Sequence, residues 1–516
     1  MGPTLQGRAR SRHAEGVNSN LAALPRRGLG DTIGQALAEA SPWQVAALLI
    51  VWSLAIRCAL FGNPLIDHDD EFFLLVGDRM LHGALPYVDI WDRKPIGLFL
   101  LYAAIRTLGG EGIVQYQLVA CLFAALTALL IWRMARKIAE PAPALIAALV
   151  YLTFSVLFNG AGGEAPVFYN LLVALAALIL LEMPEWPWAE RPAALGAAGC
   201  ATMLLVGIAI QIKYTVMFEG LFFGLLLMRR ARRLPLAQAG ALTLAWIACA
   251  LLPTAAATLA YYGMGHGDAF VQANFVSIFY RQEPKLPAFG RLAVTLMLLA
   301  PLLYCAWRGW RRPLAQTPAK ARGFLAAWCG AAIAGYLVFG TYYDHYALPV
   351  LVPLSVLAGI GFTAPGAAIG ARVTLAFAVV AALGAVALRI HVTGTARQLA
   401  PLSRMVRANL DGCLFVYEGE PILYHTSKAC TVSRFVFPSH LNAAKEQGAL
   451  GVDARAETQR ILAQRPSVIV TSDHARPADT NFATRRLVMA AIARDYEPAG
   501  EALVGVHRWL VYRRRR

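Results

Sequence analysis

Charged residues are scarce in this sequence. Asp, Glu, Lys and Arg make up 15% of its 516 residues, whereas a soluble chain carries about 25%. Hydrophobic residues make up 58%, and the mean hydropathy is +0.52. This composition excludes a disordered chain, a solvated repeat array and an ordinary cytosolic enzyme. Negative charges are fewer than positive ones, because the sequence has 31 Asp and Glu and 47 Lys and Arg. In an apolar chain, the resulting net charge of +16 typically reports membrane topology, since cytoplasmic loops collect Lys and Arg.

Familiar catalytic and binding motifs are missing as well. The sequence contains no Walker loop, no G-x-S-x-G elbow, no H-E-x-x-H and no G-x-G-x-x-G fingerprint. No C-x-x-C pair occurs, and no basic patch with interleaved aromatic residues points to nucleic acid. Six of the eight cysteines lie in or beside apolar runs, whereas Cys413 and Cys430 lie outside them. This pair would form a disulfide in an oxidising compartment or remain two unrelated buried thiols, and the sequence favours neither.

Apolar runs fill most of the chain before residue 389. Each approaches the ~20 residues that cross a ~30 Å hydrocarbon core. We predict eleven membrane spans: 43–62, 113–132, 142–158, 167–181, 193–211, 214–228, 238–262, 289–307, 323–340, 347–363 and 372–388. The apolar stretch 95–108 would reach only about 21 Å as a helix, so we interpret it as a short interfacial or re-entrant helix. With this choice, the basic clusters between the spans all fall on the cytoplasmic side.

The sequence divides into three parts. Residues 1–42 form a polar tail without the features of a signal peptide, and we expect this tail to be cytoplasmic. Residues 43–388 form the membrane domain. Residues 389–516 have a normal charge content, with strand-like segments at 412–419, 428–437, 467–473 and 504–513 and helix-like segments at 453–465 and 482–494. An odd number of spans places this α/β domain outside the cytoplasm. We therefore predict a polytopic α-helical protein of the cell inner membrane with a C-terminal periplasmic α/β domain.

The scarce acids gather in the first outer loop, residues 63–94. This loop holds seven of the 31 acids, namely Asp67, Asp69, Asp70, Glu71, Asp78, Asp89 and Asp92. The apolar residues after Glu71 suit an amphipathic helix along the membrane surface. A purely structural interpretation is open, because Asp69 or Asp70 could cap that helix while Glu71 favours its first turn.

Two further charges on the outer side point to chemistry. Lys94 precedes a proline at the membrane face, where an ammonium suits a lipid phosphate. Glu164 is the one charge in the second outer loop, 159–170, and an acid at a span edge is costly to keep. Acids together with a lysine suit proton abstraction beside a phosphate leaving group.

These residues resemble a known family. The pattern consists of Asp70-Glu71, Gly83-Ala84-Leu85-Pro86-Tyr87, Lys94-Pro95-Ile96, Glu164, Lys213 and His345-Tyr346-Ala347-Leu348-Pro349. It resembles the membrane glycosyltransferases of the GT-C superfamily. The likeness is greatest to the branch of protein O-mannosyltransferases, the lipid A aminoarabinose transferase and the rhizobial lipopolysaccharide galacturonosyltransferases. Ile96 departs from the second proline of the family's Lys-Pro-Pro, and the likeness covers residues of about 43–363.

The resemblance implies transfer of a sugar from a polyprenyl-phosphate donor to an acceptor on the outer face. The acceptor would be lipopolysaccharide, another cell-envelope glycan or a protein, and the other partners would be membrane lipids. Asp70 would be the general base, with Asp69 as a competitor for that role and with Glu71 and Glu164 assisting. Lys94 would hold the donor phosphate. The weaker candidates for the same pocket are Lys213 and His345.

No cofactor is certain from the resemblance, because some relatives bind a divalent metal and others do not. Asp67, His68 and Asp69 offer the oxygen and nitrogen ligands that such an ion would need. The alternative function is a transporter or flippase for a lipid-linked or anionic substrate. Paired inverted repeats typical of transporters are not evident, and the spans contain almost no acids.

Overall fold

The protein is described by a computed structural model over residues 40–183, 190–312, 319–362, 367–475 and 479–516. Helices fill its membrane part, as the long apolar runs predict. In chain order they are α1 (Pro42–Arg57), α2 (His68–Met80), α3 (Ile96–Arg106), α4 (Ile113–Ala135), α5 (Pro141–Leu157), α6 (Ala165–Glu182), α7 (Pro192–Ile210), α8 (Met217–Ala231), α9 (Leu236–Gly263), α10 (Gly267–Val271), α11 (Lys285–Trp310), α12 (Ala319–Val338), α13 (Leu348–Phe362) and α14 (Ala367–Thr393).

Within the described residues, nine helices are long and apolar enough to cross a membrane. Every predicted span coincides with a helix, but α5 has 17 residues and α8 has 15. The architecture of a multi-pass helical membrane protein is thus confirmed, while the count of eleven spans stays a prediction. The apolar stretch 95–108 forms α3, whose 11 residues extend about 16 Å, too short to cross a bilayer.

The centre of the bundle is α13. All its residues are buried, and it packs against α5, α11 and α12. A helix that is apolar on every face is stable only when neighbours surround it. Its position brings the preceding segment, with His345, to the same end of the bundle as Glu164 of the second outer loop.

Helix α2 lies between the membrane helices and the C-terminal part of the chain. It packs on α3, and the ring of Phe72 meets that of Phe437 with centroids 5.2 Å apart. Residues Asp70 to Gly77 are all buried. The predicted amphipathic helix is therefore present, but its polar face is not free, because the C-terminal part covers it.

The C-terminal part combines helices with one sheet. Its elements are α15 (Ala396–Ala408), α16 (Ile422–Thr426), α17 (Ser439–Asn442), α18 (Ala454–Ala463), α19 (Phe482–Asp495), β1 (Leu414–Val416), β2 (Val468–Ser472), β3 (Tyr496–Val504) and β4 (His507–Arg514). The strand order is β1-β2-β4-β3, with β1 and β2 parallel and the other pairs antiparallel. The prediction of a C-terminal sheet with helices is confirmed, although the last membrane helix, α14, continues to Thr393 instead of ending at 388.

One strand prediction in this region is wrong. Residues 428–437 form a connecting segment that carries a single bridge, from Leu414 to Thr431. The segment is tied down by a disulfide between Cys413 and Cys430 and by Trp91, whose N–H donates to the carbonyl of Arg434. Its apolar residues predict a strand because they must be buried, but they are buried against the first outer loop and not in a sheet. The strand β3 was missed, since its Pro and Gly argue against a strand.

Candidate active site

The N-terminus of α2 is fixed by Asp67. The side chain of Asp67 accepts a hydrogen bond of 2.8 Å from the N–H of Asp69, and this makes Asp67 the N-cap. Asp69 and Asp70 then fall in the first turn, where acids interact favourably with the helix dipole. The interpretation that Asp69 or Asp70 caps the helix is therefore wrong. Both carboxylates are available for other contacts.

The second outer loop folds onto this turn. Asn159 donates through Nδ2 to Oδ2 of Asp67 at 2.5 Å, and the N–H of Gly163 donates to Oδ2 of Asp70 at 2.8 Å. The approach requires a glycine at 162, because a Cβ there would lie 1.9 Å from that same Oδ2. The glycine-rich sequence around Glu164 thus has a structural reason. It lets a backbone loop reach a buried carboxylate.

Asp70 is fully buried. Its second oxygen, Oδ1, accepts no hydrogen bond from any described residue. Burial is the main cause that raises the pKa of this carboxyl well above its usual range, and the nearby Asp67 adds to the effect. Such a carboxylate is a stronger proton acceptor than an exposed one.

Asp69 has a different environment from Asp70. Its Oδ2 lies 2.6 Å from Nζ of Lys94. Burial acts to raise the pKa of Asp69, but the ammonium of Lys94 outweighs it and the pKa is lowered. The carboxylate in turn raises the pKa of Lys94 against the effect of burial. Lys94 therefore carries a firm positive charge, held between Asp69 and the ring of Phe73, 4.8 Å away.

Glu164 lies beside the same turn, fully buried at the N-terminus of α6. Oxygens of Asp67, Asp69 and Glu164 come within 4.8 Å of one another. Neither Glu164 oxygen is hydrogen-bonded within the described chain. Nδ1 of His345 lies 3.5 Å from Oε1 of Glu164, which is an ion-pair distance without hydrogen-bond geometry. Burial raises the pKa of Glu164 well above its usual range.

Lys213 completes this cluster. Its Nζ stands 3.9 Å from the ring centroid of Tyr346 and has no hydrogen-bond partner among the residues described. Burial, followed by repulsion from Lys94, lowers the pKa of Lys213 to about 7. An unpartnered, nearly buried amine of this kind is suited to receive an anion.

His68 and Glu71 face away from that cluster, towards the C-terminal part. His68 Nε2 lies 2.6 Å from Oε2 of Glu420, and Oε2 of Glu71 accepts a hydrogen bond of 3.2 Å from the N–H of Ile422. The Glu420 carboxylate raises the pKa of His68 to about 10. The pKa of Glu71 is raised, chiefly by burial and then by Glu420.

The candidate metal ligands proposed from sequence therefore separate. Asp67 and Asp69 meet Glu164, whereas His68 meets Glu71 and Glu420. The first group offers only oxygens, which suit a hard cation such as Mg²⁺ or Mn²⁺. Sequence reasoning missed Asn159 and Glu420. The glycines that follow Asn159 could have indicated that this loop approaches the site closely. Glu420 lies in a region of normal charge content, where no sequence feature distinguishes it from other acids.

The chain is similar to known proteins in part of its sequence and in its fold. A family model described as dolichyl-phosphate-mannose-protein mannosyltransferase matches residues 93–256. No curated protein sequence resembles the chain significantly. Two solved structures of ArnT from Cupriavidus metallidurans are similar in fold. The apo structure has a TM-score of 0.57 and the structure bound to undecaprenyl phosphate has one of 0.59.

Both ArnT structures are 14% identical to this chain, and each alignment covers 90% of this chain and 97% of ArnT. Identity at this level shows the fold alone, so the roles of individual residues do not follow from it. The fold extends over nearly the whole length, whereas the matched family model begins at residue 93, after the acids of the first outer loop, and continues through the following spans to residue 256. The resemblance noted from the sequence is therefore confirmed: this multi-pass membrane protein has the fold of the GT-C superfamily of membrane glycosyltransferases.

Proposed function

We propose that the protein transfers a sugar from a polyprenyl-phosphate donor to an acceptor hydroxyl at the outer face of the cell inner membrane. The observation that carries the proposal is the meeting of residues from separate parts of the sequence in one buried cluster. Its members are Asp67, Asp69, Asp70, Lys94, Glu164, Lys213 and His345. Burying so many titratable groups is costly unless they serve a ligand or a reaction. The acceptor is a lipopolysaccharide, another envelope glycan or a protein.

The two lysines would hold the donor phosphate. Lys94 is charged, and the unpartnered amine of Lys213 is repelled by it. A phosphate between them would relieve this repulsion and favour the protonated form of Lys213. The similar fold of ArnT in complex with undecaprenyl phosphate supports a lipid phosphate as the ligand. In the transition state, the same charges would stabilise the leaving phosphate oxygen.

Asp70 would act as the general base. Its carboxylate takes the proton of the acceptor hydroxyl, and the hydroxyl oxygen attacks the anomeric carbon of the sugar. The bond from that carbon to the lipid phosphate breaks, and its electron pair stays on the phosphate. Asp70 suits this role better than Asp69, because its Oδ1 is free of hydrogen bonds from the described residues while Asp69 is engaged with Lys94. Asp69 would instead position Lys94.

Glu164 would assist by electrostatics. Its carboxyl lies beside the acids of the first loop and near His345. A hard cation bound by Asp67, Asp69 and Glu164 would supply an additional charge for the donor phosphate. Their three oxygens fit such an ion, although Lys94 already neutralises Asp69.

Incubation of the purified protein with polyprenyl-phosphate sugars and a membrane extract tests this function. We expect the labelled sugar to leave the lipid carrier and appear on a cell-envelope product. For the alternative, a transporter or flippase, the lipid-linked sugar would change leaflet in proteoliposomes with its sugar still attached. Sugar that stays on every lipid carrier supplied would argue against an enzyme. We also infer a cytoplasmic N-terminus and a periplasmic C-terminal domain, which reporter fusions at the two ends would test.

A further inference from the structure

A second cluster of titratable groups lies between the first turn of α2 and the C-terminal part. One atom each of His68, Glu71 and Glu420 lies within 4.8 Å of the other two. Glu71 and Glu420 are 1% and 2% exposed, whereas the side chain of His68 is 48% exposed and lines a cleft of about 490 Å³. Two carboxylates thus share a buried position, and an imidazole stands at its open side.

Two buried carboxylates beside one half-exposed imidazole leave this cluster short of positive charge unless one carboxylate holds a proton, and an uncompensated buried charge is expensive. Oε1 of Glu71 is buried and accepts no hydrogen bond from the described part of the chain. A neutral imidazole, two carboxylates and a divalent cation would instead sum to zero. The unsatisfied oxygen of Glu71 would become a ligand.

We propose that His68, Glu71 and Glu420 bind one Zn²⁺ ion. One imidazole nitrogen with two carboxylate oxygens is a donor set that this borderline ion accepts, and Mg²⁺, which prefers oxygens, is disfavoured. Metal–ligand distances of about 2.0–2.2 Å put the ligand atoms of a tetrahedral site some 3.4 Å apart. His68 Nε2 now lies 2.6 Å from Glu420 Oε2. The two atoms would have to move about 0.8 Å apart, and the half-exposed ring of His68 has room for this movement.

The site would join two parts of the protein. His68 and Glu71 flank Asp69 and Asp70 in the first turn of α2, and Glu420 precedes α16 in the C-terminal part. A bound ion would clamp the turn that carries the proposed base to the domain above it. Three protein ligands leave the fourth position to water from the cleft. The three residues are thus positioning residues, and the ion is separate from the acids around Glu164.

Zinc binding can be measured without donor or acceptor, so its outcome is independent of the proposed sugar transfer. The full chain is purified in detergent, freed of metal with a chelator and titrated with ZnCl₂ by calorimetry, with thermal unfolding in parallel. We expect one Zn²⁺ per chain, a higher Tm on zinc addition, and a much weaker response to MgCl₂. The variant Glu420→Gln should bind zinc at least about tenfold more weakly. His68→Ala, at a half-exposed position, should lose the Tm response as well.

Two control variants separate this site from others. Glu457→Gln changes a mostly buried acid of the same domain that pairs with Arg460, and should bind zinc like the parent protein. Glu164→Gln removes the centre of the other acid cluster and should also retain zinc. Zinc lost in Glu164→Gln but kept in Glu420→Gln would overturn the proposal. So would a parent protein that binds no zinc, in which case a proton on Glu71 balances the cluster.

Discussion

Replacement of Gly162 by alanine is predicted to disable the site without touching a titratable group. The added Cβ would lie 1.9 Å from Oδ2 of Asp70 and 3.2 Å from Cγ2 of Ile66. The first distance is about 1 Å below the 3.0 Å under which real Cβ contacts essentially never fall. Asp70 and Ile66 are both buried, so neither can move aside freely. The loop must retreat, and the hydrogen bond from the N–H of Gly163 to Asp70 breaks.

The size of the effect follows from this displacement. A misplacement of about 1 Å at a reacting centre costs on the order of 10²-fold in rate, and overpacking of a core costs about 1–3 kcal/mol of stability. We therefore expect kcat/KM for sugar transfer to fall by about 10²-fold in Gly162→Ala, while the protein remains folded and monodisperse in detergent. Initial rates with a labelled lipid-linked sugar, together with thermal unfolding, measure both quantities.

A matched control and a double variant make the test specific. Gly240→Ala, inside α9, places a methyl group where nothing lies within 4 Å, and should leave the rate unchanged and the stability equal or up to about 1 kcal/mol higher, because alanine favours a helix more than glycine does. If Gly162→Ala acts through Asp70, it should cost little further activity in an Asp70→Asn background. The reasoning would be refuted if Gly162→Ala kept its activity within about twofold of the parent (a factor worth less than 0.5 kcal/mol).

Three other predictions concern the lysines, the pH dependence and the disulfide. Lys94→Gln should weaken binding of undecaprenyl phosphate at least about tenfold, because a charge-assisted contact is lost; unchanged binding in a titration would exclude Lys94 as the phosphate ligand. The rate should rise with pH as the raised-pKa carboxyl of Asp70 loses its proton, and donor affinity should fall above about pH 7 as Lys213 becomes neutral. In Lys213→Arg the alkaline fall should disappear, since Arg stays charged, and a fall at the same pH would identify another group. Replacing both Cys413 and Cys430 by serine removes the closure of a loop with a sequence separation of 17, and should lower the stability of the C-terminal part by about 3 kcal/mol; an unchanged Tm would contradict this.

The membrane part of the fold could be predicted because apolar runs of span length have few alternative structures. The site could be predicted for a related reason. In a chain so poor in acids, the cluster in residues 63–94 and the solitary Glu164 stand out, and the structure brings oxygens from these two loops within 4.8 Å of each other. The short length of α3 and the positions of the basic clusters together predict that it does not cross the bilayer.

The details that sequence did not reveal depend on tertiary contacts. Which aspartate caps α2 depends on where the backbone turns, and a two-residue change of the helix start moves the cap from Asp69 to Asp67. The segment 428–437 is apolar because Phe435 and Phe437 pack beside Trp91 and His440, a contact that strand periodicity cannot distinguish from a sheet. Glu420 is distant in sequence from His68, so only the folded chain pairs them.

The most direct test of the account is sugar transfer by Asp70→Asn. Asparagine keeps an oxygen that can accept the hydrogen bond from the N–H of Gly163, so the site should retain its shape while losing its proton acceptor. Asp89→Asn is the matched control, since Asp89 lies in the same outer loop and accepts a hydrogen bond from the N–H of Leu85. We predict that Asp70→Asn folds, binds undecaprenyl phosphate and transfers sugar about 10²–10⁴-fold more slowly than the parent, whereas Asp89→Asn is active. Transfer by Asp70→Asn at the rate of the parent would contradict the account.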